Sequence, residues 1–294
     1  MGQRWAVLIA CAACGRIGFD PRSGGSGDGG AGGDSDGQTM ADAAVCVNAG
    51  PWAMPQLAGI NTTFNDWGPA LSGDTLRLIF QTNRTGNDEL FEATRVSTTA
   101  SFSNALKIME LDTSGAERGP TVTADGLTIY YNSDFSGTML VYRAFRPTTG
   151  DVFGAAQAVT ITGAPPTPLG PALGPTDELF YTDSADSSVH VATGSGTSFT
   201  EVRKLTELGN ATYPSLSPDG LTIYFTRLTP SPVIYAATRP TIGGTFGTAT
   251  PVPNIDLGSG TEDPELGKDD HTLVFAAANG ANMADLYVTT RTCQ

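Results

Sequence analysis

Histidine is nearly absent from this chain: only His190 and His271 occur in 294 residues. With no Cys-x-x-Cys followed by a second such pair, almost nothing is left to build a zinc site, and no metal ligand set is assigned. The same shortage removes the commonest general base, and no Ser-His-Asp arrangement is legible. Charge is sparse at 16% of residues, and 16 Lys and Arg stand against 30 Asp and Glu, a net charge of −14. A surface of that sign repels phosphate backbones and anionic headgroups, which argues against nucleic acid as a partner. It also works against unspecific self-association, so a monomer is expected. What is plentiful is Gly (36), Pro (19), Thr and Ser, the composition of many short strands joined by tight turns.

The chain opens with Arg4, the apolar stretch Trp5-Ala6-Val7-Leu8-Ile9-Ala10 and then Cys11-Ala12-Ala13-Cys14. The apolar stretch is too short to span a bilayer as a helix. The pattern resembles a bacterial lipoprotein signal. Leu8-Ile9-Ala10-Cys11 fits the lipobox, whereas Cys14 gives an apolar run of more usual length. The resemblance implies a signal over residues 1–14, cleaved before Cys11 or Cys14, with lipid on that cysteine. Residues 15–45, typified by Ser23-Gly24-Gly25-Ser26-Gly27-Asp28-Gly29-Gly30, bury too little to offset chain entropy and are expected to form a disordered tether. As a flexible coil it would reach roughly 25–30 Å. The expected location is the bacterial cell envelope, lipid-anchored, on the periplasmic or cell-surface side of the outer membrane.

From residue 46 to 294 the chain repeats itself. Pro69-Ala-Leu-Ser, Pro120-Thr-Val-Thr, Pro171-Ala-Leu-Gly, Pro214-Ser-Leu-Ser and Pro264-Glu-Leu-Gly open five units, spaced by 51, 51, 43 and 50 residues. Each proline is followed by a short strand, a turn carrying Asp or Gly, and a second strand rich in β-branched and aromatic residues. Asp125-Gly126 and Pro218-Asp219-Gly220 suit a type I turn closed by a Gly at positive φ. Asp74-Thr75, Thr176-Asp177 and Asp269-Asp270 stand at that place in the other units, whose turns are expected to differ in detail. A third strand and then one opening near Phe102, Phe153, Phe199 or Phe246 complete four units. The fifth ends before its fourth strand. Trp52-Ala53-Met54-Pro55-Gln56-Leu57-Ala58, 17 residues before Pro69, supplies it from the other end of the chain.

This is an all-β, five-bladed β-propeller of four-stranded antiparallel blades, the last blade closed by the N-terminal strand. Cys46 and Cys293 lie just outside the two strands that meet there and are expected to pair in an oxidising compartment, worth about 5 kcal/mol by chain entropy. Arg95, Arg146, Arg239 and Arg291 recur at strand ends, as does the Phe, and are read as structural.

The repeat from Pro214 to Phe225, Pro-x-Leu-Ser-Pro-Asp-Gly-x-x-Ile-Tyr-Phe, resembles the WD40-like (PD40) propeller repeat of TolB-type periplasmic proteins. The resemblance implies a fold and no particular activity. TolB has six blades and a further α/β domain, so its partners are not carried over. The turn lacks the residue between Asp and Gly of the sialidase Asp-box, and no arginine triad accompanies it.

Function in a propeller usually lies where the inner strands begin. Candidate binding residues there are Asp66, Trp67, Glu117, Arg118, Tyr213, Glu262 and Asp263, acids beside aromatics that suit a sugar, an amine or a basic protein patch. Asp and Asn also populate loops because they bond the local backbone. Calcium has possible oxygen ligands in Asn132-Ser133-Asp134 and Asp183-Ser184-Ala185-Asp186, neither of which matches an EF-hand. Two readings result. The first, favoured, is a non-catalytic module that binds an envelope protein or glycan and meets the membrane only through its lipid. The alternative is a five-bladed glycoside hydrolase using Asp66, Glu117, Glu262 and Asp263, which needs two carboxyls about 5–5.5 Å or about 6.5–9.5 Å apart in an open channel.

Overall fold

Second strands of all five units carry unbroken apolar triplets: Leu78-Ile79-Phe80, Ile129-Tyr130-Tyr131, Leu179-Phe180-Tyr181, Ile223-Tyr224-Phe225 and Leu273-Val274-Phe275. Successive side chains on a strand point to opposite faces, so such a strand must be covered on both. The computed structural model, which describes residue 46 and residues 49–279 and 283–293, shows how. Five antiparallel sheets stand around an axis, and every face is covered by the next sheet. Five apolar clusters fill the five seams, and Leu78 and Phe80 enter one seam while Ile79 enters the next.

The inner strands are Asp66–Leu71, Glu117–Val122, Pro168–Leu173, Thr212–Leu216 and Thr261–Leu266. They touch in that order and close back on the first, forming the wall of a central channel. Blade 5 consists of Thr261–Leu266, Thr272–Ala278 and Ala284–Cys293, completed by Ala49–Trp52 and Gln56–Leu57, both paired with Ala284–Cys293. Cys46 and Cys293 form a disulfide with Cα atoms 5.2 Å apart. Blade 3 has a fifth strand: Thr160–Thr162, from the preceding connection, pairs in parallel with Ser198–Lys204. The expected leader and most of the tether lie outside the described residues.

The turns between first and second strands are more alike than the sequence suggests. Thr75, Gly126, Asp177, Gly220 and Asp270 all take positive φ, so Thr75 and the two aspartates adopt the conformation glycine was expected to supply. In blades 1, 2 and 4 a Ser or Thr hydroxyl bonds the turn aspartate, and that carboxylate accepts the N–H of Leu76, Leu127 or Leu221. The strand-end arginines explain the rest. Arg95, Arg146, Arg239 and Arg291 donate Nε–H to the carbonyl of the positive-φ residue at 2.7–2.9 Å. Their guanidinium groups lie 4.3–4.9 Å from the ring centres of Phe102, Phe153, Phe246 and Trp52. Arginine and aromatic recur together because they form one clasp. Blade 3 has no such arginine, and there the Gly194 N–H takes the Asp177 carbonyl.

Candidate functional site at the channel mouth

Each inner strand contains an X-Pro pair, and X has positive φ in all five: Gly68 (56°), Gly119 (51°), Gly170 (53°), Tyr213 (52°) and Asp263 (53°). The strand bulges at each pair, shifting register against the second strand. Proline offers no N–H to the ladder, and the bulge turns the N–H of X toward the neighbouring blade. Gly119 N–H donates to Gln81 Oε1 (3.1 Å), Gly170 to Asn132 Oδ1 (2.8 Å), Tyr213 to Thr182 Oγ1 (2.9 Å) and Asp263 to Thr226 Oγ1 (3.1 Å). In each case the acceptor sits on the second strand of the blade before. Ala276 holds that register in blade 5 and has nothing to offer. At this one seam Gly68 N–H donates to Asp263 Oδ2 instead, at 3.2 Å.

The five X residues surround a small cavity of about 30 Å³, lined by their prolines together with Thr121, Ala172 and Glu265. A methyl group on Gly119 would lie 3.2 Å from the Gly170 Cα, and one on Gly170 would lie 2.9 Å from the Tyr213 ring. Gly119 and Gly170 are therefore held to glycine by space as well as by φ, whereas a methyl on Gly68 would make ordinary contacts, the nearest at 3.4 Å. Tyr213 and Asp263 break the pattern, placing a phenol and a carboxyl in the cavity wall at the cost of a backbone conformation that L side chains disfavour.

Of the sequence-derived candidates, Tyr213 and Asp263 line the cavity. Glu262 and Arg118 act electrostatically on Tyr213 and so join the same cluster. Arg118, exposed, pairs with Asp88 at 2.6 Å. Asp66 and Glu117 are brought elsewhere, into the blade walls. Asp66 is fully buried, with Oδ1 on Arg84 (2.6 Å) and Oδ2 on the Thr62 N–H and hydroxyl. Glu117 Oε1 accepts from Thr113 and Ser133. Trp67 packs against the core of the blade 5/blade 1 seam. Glu265 was not singled out from the sequence, although it is the one charged residue where the other blades have Ala70, Thr121, Ala172 and Ser215. It accepts from Leu71 N–H (3.4 Å) and Ser215 Oγ (3.1 Å), tying blade 5 to both neighbours.

Burial governs the protonation of these acids. It pushes the Asp263 carboxyl up to about 8, assisted by the charge of Glu262 and opposed by the Gly68 N–H. Burial likewise raises Glu262, Glu265 and Glu117. The Tyr213 hydroxyl is raised, first by the charge of Asp263 and then by burial.

A second polar cluster was also missed. Ser188 Oγ lies 3.1 Å from His190 Nε2, and His190 Nδ1 lies 2.9 Å from Glu201 Oε1, the connectivity of a hydrolytic triad. The resemblance ends at the serine: its hydroxyl is 2.5 Å from Asp186 Oδ1, an acceptor that takes the proton a nucleophile would give to histidine. Ser188 and His190 are also buried. Asp183, Asp186 and His190 bring ligand atoms within 4.8 Å of one another. There the Lys204 ammonium already rests on Asp186, and Asp183 Oδ1 accepts the Ala185 N–H. In the other proposed calcium loop, Asp134 Oδ1 accepts the Ala116 N–H. Both loops use their acids for local bonds.

No protein-family model and no curated protein matches the chain by sequence. Among solved structures it is similar to the catalytic domain of a GH62 α-L-arabinofuranosidase from Coprinopsis cinerea, with 12% identity and a TM-score of 0.57 over 83% of this chain and 98% of that one. The Podospora anserina arabinofuranosidase PaAbf62A gives 11% and 0.52 over 83% and 95%. TolB from Acinetobacter baumannii gives 13% and 0.48 over 79% of this chain, which spans 56% of the TolB chain. At these identities the likeness is one of fold.

Proposed function

We propose that this protein is a non-catalytic recognition module, a rigid ring held at the cell envelope by an N-terminal lipid, that takes its ligand at the channel mouth. One observation carries the reading. In a ring whose five X-Pro corners favour glycine, Tyr213 and Asp263 hold the strained conformation and stand in the cavity wall. Strain of that kind concentrates at ligand sites. The hydrolase alternative needs two carboxyls free to reach a glycosidic bond. Of the four acids named for that chemistry, Asp66 is committed to Arg84 and Thr62, which supports the binding reading.

In-cell crosslinking of the intact lipoprotein beside a Tyr213→Gly/Asp263→Asn variant tests this. An envelope protein or glycan recovered only with the unmodified form is the expected result. Equal recovery by both forms would move the ligand away from the channel mouth. Hydrolysis of an arylfuranoside that disappears in Glu262→Gln would overturn the non-catalytic assignment.

A further inference from the structure

Three acids fall within four residues of blade 5, and only part of their bonding capacity is used inside the ring. Asp263 Oδ2 serves Gly68, and Glu265 serves Leu71 and Ser215. Asp263 Oδ1 has no hydrogen-bond partner although the residue is only 7% exposed, and Asp263 lines the cavity with Tyr213 and Glu265. Gln81 and Asn132 show that a neutral amide suffices to hold the N–H of the adjoining corner. A buried carboxyl in that role costs desolvation that an amide avoids, and its second oxygen is left for something else.

The remaining wall is glycine and proline with Ala172 and the Thr121 hydroxyl, and prolines offer no N–H. The ligand that best matches a wall dominated by acids brings its own donors, carries positive charge, and is slim. A metal ion would want several acid oxygens converging on one point. Glu262, Asp263 and Glu265 do not bring three ligand atoms together in the way that Asp183, Asp186 and His190 do. We infer that the channel mouth binds an alkylammonium group, the side chain of a protein lysine or the end of a polyamine, with the Asp263 carboxyl as its acceptor and the Tyr213 ring beside its stem. This rests on the recognition reading above and names the chemistry of its ligand.

The site carries a proton linkage. Facing it are Glu262 and Glu265 on the same strand, Tyr213 from blade 4 and Arg118 from blade 2, the last neutralised by Asp88, while Lys268 acts on Glu265. In the free protein the Asp263 carboxyl keeps its proton up to about pH 8. An ammonium favours the ionised form, so binding expels that proton and strengthens as pH rises, about tenfold between pH 7 and pH 9. An alkylammonium remains charged over that range.

Calorimetric titration of the intact chain with cadaverine, with the peptide acetyl-Gly-Gly-Lys-Gly-Gly-amide and with its Nε-acetylated form tests the inference. The two charged probes should bind with proton release and the tenfold pH dependence. The acetylated peptide should bind at least tenfold more weakly. Asp263→Asn keeps an acceptor for Gly68, so it should still melt cooperatively while weakening the charged probes at least tenfold and removing the pH dependence. Binding of the peptide but not cadaverine identifies a protein lysine; binding of both admits a polyamine. Equal binding of the acetylated peptide, an unaffected Asp263→Asn variant, or no binding of either charged probe overturns the inference. If the crosslinked partner still depends on Tyr213 and Asp263 in that last case, the recognition site stands and only its ligand chemistry is wrong.

Discussion

Tyr213 and Asp263 show what a residue's place in a quasi-repeat adds to its identity. Both were legible as candidates because an aromatic and an acid stood just before the repeat prolines. Their positive φ was not legible, since nothing in the composition of Thr-Tyr-Pro or Glu-Asp-Pro encodes it. Asp66 and Glu117 looked equivalent to Asp263 in the sequence, yet their side chains bond inside the blade walls. The available signal was a threonine four residues earlier in each case, Thr62 and Thr113, whose hydroxyl bonds the acid. Glycine at the Gly119 and Gly170 corners is predicted to be required for space as well as for φ. Gly119→Ala should cost about 1–3 kcal/mol, because the methyl presses on Gly170 at 3.2 Å and φ is positive. Urea unfolding measures this, and a loss below about 0.5 kcal/mol would mean that the channel wall yields easily.

At the scale of the element, the repeats were readable because one packing problem is solved five times. The clasp of arginine on turn carbonyl and aromatic ring gives this physical content. Arg239 is the most buried example, also pairing with Glu178 of blade 3 at 3.2 Å with the two side chains 1% and 8% exposed. Arg239→Ala should destabilise by about 3–5 kcal/mol, because it leaves that carboxylate buried without its charge partner. A loss similar to that of an exposed arginine would show that the clasp is incidental. Blade 3, lacking this arginine, carries the additional strand Thr160–Thr162, which the sequence did not disclose because a three-residue parallel pairing leaves no periodicity. The closing strand was predicted because the last unit was incomplete. Replacing both cysteines of the Cys46–Cys293 bridge by serine should cost about 2–5 kcal/mol, read as a lower urea midpoint that matches the reduced parent protein.

For the whole molecule, the buried acids set how stability follows pH. Burial raises Glu117, Glu262, Asp263, Glu265 and Asp270. Glu92, though itself partly buried, is held down by Arg146 and Arg77. A group raised on folding keeps its proton longer in the native state. Its stabilising contribution is complete below its unfolded pKa, near 4, and is lost as pH climbs through the folded value, about 8 for Asp263. Glu92 runs the other way, losing its contribution as pH falls. Asp186, an exposed carboxyl lowered by Lys204, runs the same way as Glu92. With five groups against two, the melting temperature should be higher at pH 5 than at pH 8.5 by roughly 5 °C, and Asp263→Asn should flatten the profile. A rise in stability toward pH 8.5 would mean that these acids are ionised and compensated in the folded ring.

The closing blade also dictates the order in which the molecule can be made. Ala49–Trp52 is translated first and Ala284–Cys293 last, yet they share one sheet. Until the later segment emerges, Leu78 and Phe80 of blade 1 have no blade 5 to cover them, and Gly68 lacks the carboxylate that receives its N–H. Contacts of such long sequence separation form late and slowly. A nascent chain of four blades thus presents an open apolar flank for as long as synthesis takes to reach residue 284, and sheltering that flank falls to whatever meets the emerging chain.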